Sequence, residues 1–132
     1  MWTYKNEWEE IEEVHYLNDQ PSTAVTIIIP ARNEAANIGH LLHDITQQVY
    51  PTQLTEVIII DDFSEDGTYD ICQQYANQHT YIKVYKLQEI IPENTATEAY
   101  KKKAIEAAVH LANGKLIITT DADCRLQQHW IH

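Results

Sequence analysis

The chain has 132 residues and a formal net charge of −11, with 20 acidic side chains against nine basic ones. That length suits one domain with a real core. The acidic balance excludes a general nucleic-acid binder, which needs a cationic face for phosphates, and equally a protein that docks on anionic lipid. No stretch reaches the roughly 18 apolar residues of a membrane span, and no signal-peptide pattern opens the chain. Cys72 and Cys124 lack a CxxC spacing, so they read as reduced thiols of a cytoplasmic protein.

Residues 1–20 read as an N-terminal amphipathic helix and linker. Tyr4, Trp8, Ile11 and His15 recur at helical spacing over residues 3–17, with glutamates on the opposite face, and "NDQPST" follows. From residue 21 to 132 strand and helix patterns alternate. "AVTIIIP" (24–30), "EVIIIDD" (56–62) and "KLIITTD" (115–121) are continuous runs rich in β-branched residues, and "YIKVYKL" (81–87) alternates as an edge strand does. Continuous runs indicate strands covered on both faces. Between them Ile38, Leu41, Leu42, Ile45 and Val49 predict one helix, ended by Pro51. Ile71, Cys72 and Tyr75 predict a second, and Ile105, Ala108, Val109 and Ala112 a third with Gly114 at its C-cap. The expected fold class is α/β: an open, mainly parallel sheet with helices on both faces. "DCRLQQHWIH" reads as the first turn of a further helix, so the expectation is a domain cut short at its C-terminus.

Parallel sheets bind ligands at the carboxyl ends of their strands. "PARNE", "DDFSEDGT" and "DADC" all fall there. The three glycines (Gly39, Gly67, Gly114) build neither GxGxxG nor a Walker loop, so a phosphate would be held by other means. Mg²⁺ or Mn²⁺ is the obvious substitute, since it takes carboxylates together with phosphate oxygens and water. In extended backbone Asp121 and Asp123 would point the same way, with Ala122 leaving room between them. The competing reading makes Asp121 a strand-ending turn residue and Asp123 a helix cap. Ser64 and Asp66 read as caps of the second helix. Capping does not account for Asp61 and Asp62, adjacent acids at the end of a buried strand, where repulsion and desolvation both cost free energy. His40 and His43 read as surface residues, and Cys72 and Cys124 as packing.

Taken together, "VTIIIPARNEAANI", "EVIIIDDFSEDGT" and "KKKAIEAAVHLANGKLIITTDADC", in this order and spacing, resemble the nucleotide-sugar-binding half of family 2 glycosyltransferases with the Rossmann-like GT-A fold, over roughly residues 22 to 131. The resemblance implies that Pro30, Ala31, Arg32 and Glu34 line the base and ribose of a UDP- or GDP-sugar donor. It implies that Asp62 accepts a hydrogen bond from the base while Asp61 supports the loop. Asp121 and Asp123 would be the DxD motif that holds Mg²⁺ or Mn²⁺, with Asp121 and Ala122 also against the donor. The Lys101–Lys103 run matches a basic segment near the nucleotide, and Lys102 is read either as a donor contact or as a solvated helix start. Arg125 stands where some relatives carry a further metal ligand, a role a guanidinium cannot take, and faces either a phosphate or solvent.

Implied with this is inverting transfer of a hexosyl group to a glycan, lipid or other acceptor, as in polysaccharide or cell-envelope biosynthesis. The catalytic base is expected downstream of this chain, which is then inactive alone. The full-length protein is expected in the cytoplasm or on the cytoplasmic face of the inner membrane. Two rival readings are a receiver-like phosphoacceptor domain and a non-catalytic α/β binding module.

Overall fold

The computed structural model describes residues 2–4, 22–90 and 100–131. Among the described residues the strands and α-helices follow in the order β1 (Trp2–Tyr4), β2 (Val25–Ala31), α1 (Ile38–Thr46), β3 (Thr55–Asp61), α2 (Thr68–Gln78), β4 (Ile82–Lys86), α3 (Tyr100–Leu111) and β5 (Leu116–Thr119), with short 3-10 turns at Thr52–Leu54 and Leu87–Glu89. They form one five-stranded sheet in the order β1-β5-β2-β3-β4. Four strands are parallel, and β1 pairs antiparallel with the far side of β5.

The unbroken isoleucine runs follow from burial on both sheet faces. Successive side chains of a strand point to opposite faces. Ile27, Ile29, Val57 and Ile59 pack with Ile38, Leu41, Leu42 and Ile45 of α1 and Cys72 of α2. Ile28, Ile58 and Ile60 pack on the other face against Ala104 and Ala108 of α3. Each such apolar side chain contributes about 1.5–3 kcal/mol by leaving water, so this double cover is the main stabilising feature. β4 is the edge strand its alternation predicts.

Four expectations change. Thr3 and Tyr4 lie in a strand and not at the start of a helix; β-favouring Trp, Thr and Tyr cover what would otherwise be the open edge of β5. The rest of the predicted helix, with Trp8, Ile11 and His15, lies outside the described residues. α1 ends at Thr46, so Val49 is outside it and half exposed. Gly114 is not a left-handed cap, since no glycine among the described residues has positive φ. It is instead a point of close approach: a Cβ there would stand 2.6 Å from the Thr26 main-chain nitrogen. Finally, Gln128–Trp130 makes a single turn, closed by the Trp130 N–H on the Gln127 carbonyl (3.1 Å), and no helix.

The topology singles out one end of the sheet as a candidate site. From β2 the chain crosses α1 to β3 on one side, while β5, reached through α3 on the opposite face, lies on the other. The strand order therefore reverses between β2 and β5, and open α/β sheets bind ligands beyond the carboxyl ends of the strands at such a point. A receiver domain places its third parallel strand beside its first; here the fourth, β5, is in that place.

Candidate functional site

β2 ends at Ala31, and the hydrogen bond from the Asp62 N–H to the Ala31 carbonyl (2.8 Å) carries the β2–β3 ladder one residue further. The two following loops are tied to each other. The Asn33 N–H donates to Ser64 Oγ (2.9 Å), and the Glu65 N–H returns a bond to Asn33 Oδ1 (2.7 Å). The Glu34 N–H donates to Thr68 Oγ1 (2.8 Å), and the Ala35 N–H to Asp66 Oδ2 (3.2 Å). Asp66 also accepts the Thr68 N–H and hydroxyl at the start of α2. The N-cap of α2 is Gly67, not Ser64 or Asp66: Asp66 holds the first helical N–H from the position before the cap, and Ser64 braces the neighbouring loop. Asn33 and Phe63 hold φ of 52° and 57°, a left-handed conformation that is costly for a bulky residue and that clusters at functional sites.

Beside these loops lies a cleft of about 330 Å³. Pro30, Ala31, Arg32, Glu34 and Asp62 line one side, and Asp121, Ala122 and Asp123 the other. The fold thus brings together every residue expected at the site except Lys102, which is exposed on α3 and does not line the cleft. Asp61 lies beneath it, 3% exposed.

Asp61 and Asp62 are poorly compensated by the described residues. Asp61 Oδ1, Asp62 Oδ1 and Thr120 Oγ1 are buried without a hydrogen-bond partner among the described residues. Burial raises the Asp62 carboxyl above its ordinary value, with the Arg32 charge opposing and the Asp61 charge adding to the rise. Unsatisfied buried polar atoms are rare in native proteins and call for an explanation. Burial likewise pushes the Cys72 thiol up to about 12, helped by the Asp61 charge, so Cys72 is an inert core residue as expected.

Asp121 and Asp123 converge by another route than strand alternation. β5 stops at Thr119, and a turn closed by the Cys124 N–H on the Asp121 carbonyl (3.1 Å) follows. Ligand atoms of Asp121, Asp123 and Cys124 lie within 4.8 Å of one another. Two carboxylate oxygens at that spacing, open to the cleft, fit a small divalent cation whose other positions go to phosphate oxygens and water. Ala122 is buried against the core, and its small side chain lets the cleft floor lie close to β2.

Arg125 faces neither phosphate nor solvent alone. Its Nε donates to Asp44 Oδ2 (2.7 Å) and its Nη2 to Asp44 Oδ1 (3.1 Å), and the Leu126 N–H adds a third bond to Oδ2 (2.9 Å). The Arg125 fork holds the Asp44 carboxyl below its ordinary value in spite of burial. Asp44 went unnoticed in the sequence; the available signal was an acid flanking the apolar stripe of α1, next to Leu41.

A sheet of this order, with its cleft at the reversal point between β2 and β5, has the GT-A fold of the solved glycosyltransferases it resembles. The profile of the family described as "Glycosyl transferase family 2" matches residues 26–132, and the chain belongs to that family. Glycosyltransferase AglE of Haloferax volcanii is 32% identical over 107 residues, which are 81% of this chain and 33% of AglE. Among solved structures, Staphylococcus aureus TarS 1–349 in complex with UDP superposes with a TM-score of 0.67 at 26% identity, covering 81% of this chain and 29% of that one. The mannosyltransferase PcManGT of Pyrobaculum calidifontis, in complex with GDP-Man and Mn²⁺, superposes with a TM-score of 0.63 at 27% identity, covering 89% and 35%. The chain thus spans about a third of the length of these relatives. None of the helices among the described residues is long and apolar enough to cross a membrane.

Proposed function

We propose that the cleft binds a nucleoside-diphosphate sugar with a divalent cation at Asp121 and Asp123, as the donor side of an inverting hexosyl transfer. One observation carries this reading: the fold gathers the "PARNE" residues, Asp62 and the "DAD" acids, far apart in sequence, around one cleft at the strand-order reversal. Pro30, Ala31, Arg32 and Glu34 cradle base and ribose, and the buried oxygen of Asp62 accepts the hydrogen bond of a base N–H, which gives it the partner it lacks in the protein. Asp123 is a cation ligand, and Asp121 serves both cation and donor. The cation supplies neutralisation of the diphosphate as it leaves.

UDP in one structural neighbour and GDP-Man in another support a uridine or guanosine donor. The base that deprotonates the acceptor, a glycan, lipid or other hydroxyl compound, belongs outside these 132 residues, so the chain alone binds donor without transferring sugar. A role in polysaccharide or cell-envelope synthesis on the cytoplasmic side of a membrane accords with such an acceptor.

Isothermal titration with UDP, GDP and their sugars, with Mn²⁺ or with EDTA, tests the assignment. Binding of one nucleotide, strengthened by Mn²⁺ and stripped of that gain by Asp123→Ala, is expected. Binding of none, or a gain indifferent to Asp123→Ala, contradicts it.

A further inference from the structure

The acids that would hold the cation sit in a stretch that has no regular structure of its own. It is fixed at one end by the sheet, where the Thr120 N–H donates to the Ile28 carbonyl (3.1 Å). Among the described residues, the hydrogen bonds that tie the other end to the rest of the fold come from α1 and the residues just after it. Asp44 takes three hydrogen bonds from Arg125 and Leu126. One turn on, Gln48 Nε2 donates to the Gln127 carbonyl (2.6 Å), and Gln48 Oε1 accepts the Ile131 N–H (3.2 Å). The Val49 N–H donates to the Gln128 carbonyl (2.8 Å).

Two like charges must be held close at Asp121 and Asp123 before a cation arrives, and their repulsion favours opening the turn. A two-pronged guanidinium–carboxylate contact fixes direction as well as distance, and Arg125 lies just past the second acid. The Asp44 carboxylate is itself buried on the core side of α1, so the anchor cannot follow a loop that swings outward. The other end of α1 starts on the Glu34 carbonyl, which accepts the Asn37 and Ile38 N–H groups, and Glu34 lines the opposite side of the cleft. One rigid helix therefore spans from the nucleoside side to the cation side.

We infer that Asp44 and Arg125 are positioning residues that set the Asp121–Asp123 pair for cation-assisted donor binding through the α1 anchor. This rests on the cleft reading given above. It accounts for a cation at position 125: the guanidinium acts as a strut behind the metal ligands instead of joining them.

UDP and GDP are titrated against the full chain, with EDTA and with Mn²⁺, for wild type, Asp44→Asn and Arg125→Lys, alongside melting temperatures. Nucleotide affinity in EDTA should stay close to wild type in both variants, since neither residue lines the cleft. The Mn²⁺-dependent gain should fall about tenfold or more, the usual effect of removing a group that orients a metal ligand. Arg125→Lys keeps the charge and loses the fork, and the mostly exposed Arg125 side chain makes it a variant that folds even should Asp44→Asn not. A wild-type Mn²⁺ gain that Arg125→Lys retains in full, with only the melting temperature lowered, overturns the inference and leaves the cleft reading intact. A wild-type affinity indifferent to Mn²⁺ overturns both.

Discussion

The two ends of the parallel sheet treat their carboxylates, partly buried at one end and buried at the other, in opposite ways. At the amino end Glu56 of β3 is saturated. The Thr26 hydroxyl donates to Oε1 (2.8 Å), as does the Asn113 N–H (2.9 Å), while Asn113 Nδ2 (3.0 Å) and Lys83 Nζ (3.5 Å) donate to Oε2. Burial pushes the Glu56 carboxyl up, but the Asn113 main chain, Thr26, the Asn113 side chain and the Lys83 charge together hold it below its ordinary value. At the carboxyl end Asp61 and Asp62 each keep a buried oxygen without a partner among the described residues, and Asp62 is raised. One end is finished by the protein itself. The other is left unfinished, at a cost to the free chain, and under the proposed function a ligand completes it.

That contrast can be broken by substitution. Glu56→Ala removes one acceptor from four donors, of which the Asn113 N–H and the Thr26 hydroxyl come from closely packed backbone and strand. It should lower the unfolding free energy by about 3 kcal/mol, as expected when hydrogen bonds to a charged group are lost, with nucleotide affinity unchanged. A urea titration and a UDP titration read the two effects. Gly114→Ala drives a Cβ into the Thr26 main chain; the backbone cannot yield cheaply, and a loss of about 2 kcal/mol is expected by chemical denaturation.

Asp62→Asn should do the reverse of Glu56→Ala. Removing an undercompensated buried charge raises the free chain's stability by about 1 kcal/mol. The amide keeps one acceptor oxygen but loses the charge and adds an NH₂ donor, so binding of the preferred nucleotide weakens by about tenfold, the loss of a charge-assisted hydrogen bond. A variant that is both less stable and equally good at binding would place Asp62 among structural acids like Glu56.

The smallest effect is a pH response of two signs. The folded Asp62 carboxyl lies above the ordinary 3.8, so the folded chain holds that proton more tightly than the unfolded chain. Its contribution to stability therefore grows as pH falls through the folded value, while acceptance of a base N–H is lost in the same window, above 3.8. The folded Asp44 carboxyl lies below 3.8, so its contribution is present above 3.8 and is lost only as pH falls below it. Nucleotide affinity should accordingly decline on acidification before the Arg125 anchor lets go, which titrations at stepped pH can follow.

Much of this architecture was legible because burial on both faces leaves a plain mark. The isoleucine runs located β2, β3 and β5 and their parallel pairing, and the acids and the "PARNE" stretch at their ends located the cleft. Less legible were features that depend on partners distant in sequence. β1 has three residues and matters only because β5 has a free edge. Asp44 and Arg125 lie 81 positions apart, and each alone looks like a surface charge. Glu56 opens an apolar run and reads as a solvated strand end until Asn113 and Thr26 close around it. The Asp121–Asp123 pair was expected to converge through alternation along a strand, but the strand has already ended and a turn brings the two acids together instead.

The central claim is that donor and cation occupy the carboxyl end of the sheet and leave the amino end untouched. Amide NMR of the chain with UDP or GDP and substoichiometric Mn²⁺ tests it most directly, since the paramagnetic ion broadens only nearby signals. Selective loss of the Asp121–Cys124, Ala31 and Arg32 signals, with Glu56, Asn113 and Gly114 unaffected, is the predicted result. Broadening centred on the amino end, or none above that of Mn²⁺ with the Asp123→Ala chain, would contradict it.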